Sequence, residues 1–311
     1  TASNNTAVGS AALAANTTGA SNVALGKTAG AAITTGSRNI AIGHDAGASA
    51  TTVSDNTAVG YYALQDNTGA SNTAVGSYAL LQNTTAANNT AVGKDALTSN
   101  TTGASNTAVG HKAGYSNTTA TEMTAVGIEA LYSNTTGNTN SALGRRALYS
   151  TTTGVNNAGF GARTLYTNTT GSYNVSIGMD SLYSNTTASN NTAVGYNALF
   201  ANTTGAQNTA VGTLASDAIT TGAENASLGY WSLSGNTTGA YNTALGSRAL
   251  TANTTASNNT AVGYQSLHAN TTGGNNTALG YSALATNITG NYSTALGYRA
   301  LTTTTAGNNT A

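Results

Sequence analysis

The chain has 311 residues, but only 6% are charged and neither Pro nor Cys occurs, whereas a typical soluble domain is about 25% charged. Its formal net charge of zero argues against nucleic acid as a partner, because nucleic acid is bound through excess positive charge. The lack of Cys excludes disulfides and thiolate metal sites. The sequence has no run of about 18 apolar residues, so we expect no insertion of this segment into a membrane.

One motif, Asn-Thr-Ala-Val-Gly or a close variant, recurs from one end of the chain to the other. Its copies start at Asn5, Asn22, Asn39, Asn56, Asn72, Asn89, Asn106, Met123, Asn140, Asn157, Asn174, Asn191, Asn208, Asn225, Asn242, Asn259, Asn276, Ser293 and Asn309. The step is seventeen residues, except for two steps of sixteen, after Asn56 and before Asn309. We number the places of one unit from one, the first residue of the motif, to seventeen. Such a period is typical of repeat architectures.

Each unit predicts one coil of a solenoid. Places two to four read Thr-Ala-Val, which favours a short strand, and place five is Gly in every full unit, which suits a corner. A second short stretch is expected around Ala-Leu at places eight and nine, and Asn-Thr-Thr-Gly from place twelve favours a turn. We therefore predict an all-β fold, a parallel β-solenoid (β-roll) of about eighteen 17-residue coils that stack about 4.8 Å apart.

The predicted interior is thin. It would contain about two large aliphatic side chains per coil, from the apolar residue at place four and the Leu at place nine. Where place nine loses its Leu, at Gly30 and Ser216, place twelve becomes Ile33 and Ile219, which indicates that the two places share one space. Gly47 and Gly114 also lack the Leu but gain no Ile. A core this thin barely offsets the cost of ordering the chain, so we expect self-association.

Units such as NSALG from Asn140, NVSIG from Asn174 and NTALG from Asn276 resemble the head repeats of trimeric autotransporter adhesins. They are also similar to the NTALG-type repeats of phage tail fibres and of bacterial surface proteins with C-terminal chaperone domains. The resemblance covers the whole chain. It implies a left-handed β-roll, three chains in one rod and an adhesive surface. Since the chain begins and ends within the pattern, we expect residues 1–311 to be a single repeat domain and a fragment of a longer fibrous protein.

Places six and seven vary most and contain every Lys and Arg except Arg38. This edge is expected to face solvent, where its charges either keep the protein soluble or form a recognition face. Exposed aromatic residues there suit adhesion. The candidate recognition residues are Tyr61, Tyr62, Tyr78, Tyr196, Tyr230, Trp231, Tyr264, Tyr281 and Tyr298.

Place ten contains an aromatic residue in six consecutive units. These residues are Tyr115, Tyr132, Tyr149, Tyr166, Tyr183 and Phe200. Stacked coils would place the rings in a column at about 4.8 Å intervals, either as a stabilising ladder or as a stripe that grips a ligand.

Asn-x-Thr sequences recur at the turn, and N-glycosylation is a further hypothesis for them. The candidates are Asn16, Asn83, Asn100, Asn134, Asn185, Asn236 and Asn270. Turn chemistry explains the same residues, because a repeat multiplies any motif that it contains.

No group of residues indicates catalysis or a cofactor. The histidines, His44, His111 and His268, lie in separate units, and no calcium or phosphate-binding motif occurs. We therefore expect a non-enzymatic fibre outside the cell, on a cell or virion surface, that acts through reach and multivalent contact. Its expected partners are copies of itself, as a homotrimer or filament, and a host surface glycan or matrix protein. The alternatives are a glycan-coated filament and an ice-binding solenoid built on Thr arrays.

Overall fold

A computed structural model shows the predicted parallel β-solenoid, and it describes residues 2–302 and 307–311. The described residues form compact units up to Asn156 and from Asn157, which we treat separately. The strands of the first unit are β1 (Thr6–Val8), β2 (Val23–Leu25), β3 (Ile40–Ile42), β4 (Thr57–Val59), β5 (Thr73–Val75), β6 (Thr90–Val92), β7 (Thr107–Val109), β8 (Thr124–Val126) and β9 (Ser141–Leu143). Those of the second unit are β10 (Ala158–Phe160), β11 (Val175–Ile177), β12 (Thr192–Val194), β13 (Thr209–Val211), β14 (Ala226–Leu228), β15 (Thr243–Leu245), β16 (Thr260–Val262), β17 (Thr277–Leu279) and β18 (Thr294–Leu296).

Within each unit, every strand pairs in parallel with the next, and equal places face each other. Ala193 of β12, for example, lies opposite Ala210 of β13. The sixteen-residue repeat keeps this register, because Thr57 still pairs with Thr73 and the missing residue is absorbed in the turn. Backbone pairing also continues outside the strands, as where the N–H of Thr203 donates to the carbonyl of Thr220 over 2.9 Å. The seventeen-residue period therefore sets the register of whole coils.

The corner at place five needs glycine because of both its dihedral angle and its surroundings. Gly195 has a φ of 135°, and a Cβ added there would lie 2.5 Å from the carbonyl oxygen of Gly212 in the next coil. A side chain would push the two coils apart, so the stacking itself demands Gly.

The second stretch expected around places eight and nine is a turn. The leucines at place nine adopt the left-handed region, with φ from 49° to 54°, where an L-residue cannot continue a strand. That conformation costs about 1–2 kcal/mol, but it points Leu into the coil, where Leu199 is fully buried. Burial of a Leu side chain, at about 1.5–3 kcal/mol, offsets the cost.

The interior differs from the prediction at place four. Ala at places three and eight, Leu at place nine and Asn at places one and twelve are buried, whereas Val8 and Leu25 at place four are 57% and 48% exposed. A strand alternates its faces, so a buried Ala at place three directs places two and four outward. The expected pair of interior aliphatic side chains per coil is thus wrong, because most coils bury only one large aliphatic side chain, the Leu at place nine, between small ones.

Two columns of buried asparagine take much of the remaining space. At place one, the N–H of Asn89 donates to Oδ1 of Asn72 over 2.9 Å, and Asn89 Nδ2 donates to the carbonyl of Gly103. At place twelve, Asn100 Nδ2 donates to Oδ1 of Asn83 over 2.8 Å and to the same Gly103 carbonyl. These ladders satisfy polar backbone groups inside the coil, as Asn ladders do in stacked β structures.

The structure explains how coils without Leu at place nine are filled. A Cβ on Gly30 would lie 2.9 Å from Cδ1 of Ile33, so this Ile occupies the space that a Leu would take. Gly114 is filled differently, because its Cβ would lie 2.5 Å from Cε of Met123, which replaces Asn at place one of the next unit. Places nine and twelve therefore share one space at Gly30 and Ile33, as predicted. At Gly114 the same space is filled from place one of the next unit, which the sequence pattern did not suggest.

Candidate recognition surface

The edge at places six and seven lies directly after the Gly corner. Because the corner turns the chain away from the strand, the side chains at place six project outward, and Tyr196, Tyr264 and Tyr298 are 45%, 40% and 71% exposed. The solvent-facing edge expected from the sequence is therefore where the structure places these rings.

In the first unit the candidate residues form one aromatic cluster. The ring of Tyr61 meets those of Tyr62 and Tyr78 edge-on, at centroid distances of 4.2 Å and 5.5 Å. His44 lies 5.5 Å from the Tyr61 ring, and its Nδ1 is 3.0 Å from Asp45 Oδ2. The hydrogen bond with Tyr62 raises the pKa of the Tyr61 hydroxyl. The cluster presents aromatic edges beside a carboxylate and an imidazole, a combination that offers both apolar and polar contacts.

In the second unit five of the candidate residues stack instead. The rings of Tyr230 and Trp231 are 5.3 Å apart and nearly parallel, with the Arg248 guanidinium 5.4 Å from the indole centroid. Tyr264, Tyr281 and Tyr298 form a column with 5.3 Å between successive centroids. Much of each stacked face is covered by the neighbouring ring, so ring edges and hydroxyls are the groups offered to a partner.

Place ten forms regular columns within each unit. Tyr132 lies 5.2 Å from Tyr115 and 5.1 Å from Tyr149, with interplanar angles of 5° and 9°. In the second unit Tyr183 stacks on Tyr166 and Phe200 in the same way. Cations from place seven flank the columns, for example Lys112 at 5.7 Å from the Tyr115 centroid. Since neighbouring rings cover their faces, these residues act as a ladder between coils, and the geometry favours this role over a stripe that grips a ligand face-on.

Several charges pair from coil to coil. Arg146 Nε lies 2.6 Å from Glu129 Oε2, and Arg163 Nη2 lies 2.6 Å from Asp180 Oδ2. Arg38, the one basic residue outside places six and seven, forms a two-point contact with Asp55, which lowers the pKa of that carboxyl group. The exposed pair of Arg38 with Asp55 adds little stability, whereas Asp180 of the pair with Arg163 is buried.

The described residues contain no group of three or more His, Asp or Glu side chains that could bind a metal ion. Asp217 is the one carboxyl group with a burial-raised pKa in this part of the chain. It stands at place ten, one unit after Phe200.

The glycosylation hypothesis conflicts with the fold. Six of the seven candidates are fully buried, namely Asn83, Asn100, Asn134, Asn185, Asn236 and Asn270. Asn185 Nδ2, the atom that would carry the sugar, donates to Oδ1 of Asn168 over 2.8 Å and to the carbonyl of Ala188 over 3.0 Å. Asn16 is partly exposed, yet its Nδ2 donates to the carbonyl of Gly19. A sugar would replace one of the two Nδ2 hydrogens, so Asn185 could not keep both bonds, and at the buried sites it would have to open the coil. These residues therefore serve the turn and the ladder.

Sequence reasoning missed a second surface, the outward face of the strands. It displays Thr, Val, Ile, Ser or Ala at place two and Val, Leu, Ile or Phe at place four, without a charged residue in any described strand. We call it the strand face. Its exposed members include Val8, Leu25, Val75, Leu143, Phe160, Ile177, Leu228, Leu245, Leu279 and Leu296. The signal for this surface in the sequence was that place three is always a small residue. A small residue there indicates that place three points inward, so that places two and four of the three-residue strand point outward.

No protein-family model and no curated protein sequence matches the chain. The resemblance to adhesin head repeats therefore stands on the repeat motif and on the solenoid that it forms. Among the described residues no helix is long and apolar enough to cross a membrane.

Proposed function

We propose that the chain is a segment of a non-enzymatic extracellular fibre, displayed on a cell or virion surface, which assembles from copies of itself and holds an adhesive edge away from that surface. The observation that carries the proposal is the strand face. On an ordinary protein surface, exposed apolar residues are scattered singly. The strand face instead presents them in an uncharged row that continues through the strands of a unit.

The occupant of the strand face that fits best is a second copy of the chain. Because the repeat is regular, every copy presents the same rows of Thr and Val, so copies side by side meet matching surfaces along many coils. Interface cores are depleted in charge, and this face requires no ion pair to be desolvated. We propose a homotrimer, the assembly implied by the resemblance to adhesin heads.

Assembly would leave the edge at places six and seven free for adhesion. Its residues change from coil to coil, with aromatic groups such as the Tyr61 cluster and the column from Tyr264 to Tyr298. Aromatic rings and hydroxyls suit a host surface glycan or a matrix protein. Several weak contacts repeated along three chains would bind through avidity.

The test is to place charge on the strand face. In the variant Val194→Lys with Val211→Lys, two neighbouring place-four residues of the strand face become cationic. The matched control is Thr213→Lys, at the exposed place six. Sedimentation equilibrium should give a trimer for the wild type and the control and a monomer for the double variant, with weaker binding of the monomer to glycan and matrix-protein arrays. A monomeric wild type would overturn assembly through this face, and array binding equal for trimer and monomer would overturn the avidity.

Ice binding is a second candidate, favoured by one specific observation. The strands direct Thr at place two and Val at place four outward, in an array about 4.8 Å by 6.6 Å that contains no charge. The double Lys variant separates the two functions. Thermal hysteresis that is present in the wild type and lost in the variant, while both proteins sediment as monomers, would favour ice over assembly.

A further inference from the structure

The tyrosine columns at place ten bring reactive side chains together within one chain. Tyr115, Tyr132 and Tyr149 hold three phenol rings parallel, with 5.2 Å and 5.1 Å between successive centroids. In the second unit Tyr166 and Tyr183 are 5.1 Å apart at 8°. Each ring is partly exposed. Because the rings are nearly parallel, the ortho carbons of one phenol face the ring that follows it.

We propose that these columns are sites of oxidative tyrosine coupling, in which dityrosine bonds join successive coils of the same chain. The oxidant would be of the one-electron class, such as the peroxide-activated haem of a peroxidase. The chain has no Cys and so cannot form a disulfide, which makes a carbon–carbon bond between phenols the cross-link that its own residues offer.

Formation of one dityrosine bond is a two-electron oxidation of the protein. Each phenol gives one electron and its hydroxyl proton to the oxidant and becomes a phenoxyl radical, whose unpaired spin lies partly on the ortho carbons. Two such radicals form one carbon–carbon bond, and each ring then returns its ortho hydrogen to its phenol oxygen by loss and uptake of a proton. One peroxide accepts the two electrons and two protons and leaves as two waters, so each cross-link removes two hydrogen atoms from the protein.

Proximity selects stacked tyrosines such as those of the place-ten columns over Tyr173, Tyr241 and Tyr292. Tyr173, Tyr241 and Tyr292 are more exposed, at 59%, 56% and 67%, and would be oxidised at least as readily. Radicals formed there would have to meet through diffusion between molecules, whereas a radical at Tyr132 has a phenol on either side. Holding two reactants in place raises their effective concentration by orders of magnitude. Phe200 continues the second column but has no phenol, so coupling there ends at Tyr183.

The experiment treats the full chain at low concentration with a haem peroxidase and peroxide. Dityrosine fluorescence should appear at a yield independent of protein concentration, and the product should run as one chain on a denaturing gel. Tryptic mapping should show a bond from Tyr132 to Tyr149, which joins peptides 113–145 and 147–163, or a loss of two hydrogens within the peptide that contains Tyr115 and Tyr132. The thermal midpoint should rise after coupling.

Two variants decide the assignment. Tyr132→Phe keeps the stacked ring but removes the phenol, and it should abolish coupling among Tyr115, Tyr132 and Tyr149 while the bond between Tyr166 and Tyr183 remains. Tyr183→Phe should give the opposite result, and Tyr173→Phe should change neither. Circular dichroism checks that each variant folds. Cross-links mainly between chains, cross-links mapped to Tyr173, Tyr241 or Tyr292, or no dityrosine at all would each overturn the proposal.

Discussion

At the scale of single residues, place nine shows how the effect of one side chain depends on its coil. A Cβ on Gly47 would meet Cβ of Ala41 at 3.7 Å and of Ala58 at 3.9 Å, which is ordinary contact, and place twelve of that coil is the small Ala50. Gly47 already has the left-handed φ of 56° that the leucines adopt. We expect Gly47→Leu to raise the free energy of unfolding by about 1 kcal/mol, since the gain from Leu burial, about 1.5–3 kcal/mol, is larger at its midpoint than the conformational cost of about 1–2 kcal/mol.

The matched substitution at Gly114 should have the opposite sign. The space beside Gly114 is filled by Met123 and Leu97, whose atoms would lie 2.5 Å and 3.1 Å from an added Cβ. Gly114→Leu should therefore destabilise the chain by about 1–3 kcal/mol through overpacking. Thermal and chemical unfolding of both variants measures the difference, and equal effects at the two glycines would show that local volume does not control this place.

At the scale of the coil, the buried asparagines should contribute more to the free energy of unfolding than the exposed asparagines do. Asn100 donates to Asn83 and to Gly103, and it accepts from Asn117. Asn100→Ala would leave buried polar atoms without these partners, at about 1–3 kcal/mol for each unsatisfied group, so we expect a total loss of about 2–5 kcal/mol. The control Asn138→Ala removes an exposed bond to the N–H of Thr121 and should cost less than about 1 kcal/mol. Unfolding midpoints compare the two, and a similar loss in both would contradict a structural role for the ladder.

The coil also shows how far the sequence predicts structure. The period, the strand at places two to four and the Gly corner follow from local propensity and from repetition, and all three are present in units such as the one around Thr192–Val194. The direction of place four was wrong because a large apolar residue was assigned to the interior by its type, although apolar residues commonly lie on surfaces. Strand alternation and the small residue at place three were the better guide.

At the scale of the whole molecule, regular stacking was predictable but the recognition chemistry was not. Each coil contacts mainly its neighbours, so a seventeen-residue unit contains nearly all the information that stacking needs. How Tyr61, Tyr62 and Tyr78 cluster while Tyr264 and Tyr281 stack depends on rotamers and on neighbours from adjacent units. Composition at places six and seven could therefore identify an exposed edge, but it could not give the arrangement of its rings.

If stability is a sum over neighbouring coils, one complete unit should be removable. Deletion of residues 191–207 would bring Asn208 next to Asn174, which already interacts with its neighbour through the same place-one hydrogen bond between the Asn191 N–H and Asn174 Oδ1. We expect a folded protein with the β signal in circular dichroism retained per residue and a slightly lower unfolding free energy, because one coil and its interface are lost.

Deletion of residues 191–199 alone removes about half a coil and provides the control. In the remaining half coil, residues from strand places would lie opposite residues from turn places of the neighbouring coil. Such a register shift in a β structure places side chains on the wrong face. This variant should lose much of its cooperative unfolding in thermal scans, while the full-unit deletion keeps it. If both deletions unfolded alike, coils would not be the independent units of stability, and stacking would depend on contacts that extend beyond neighbouring coils.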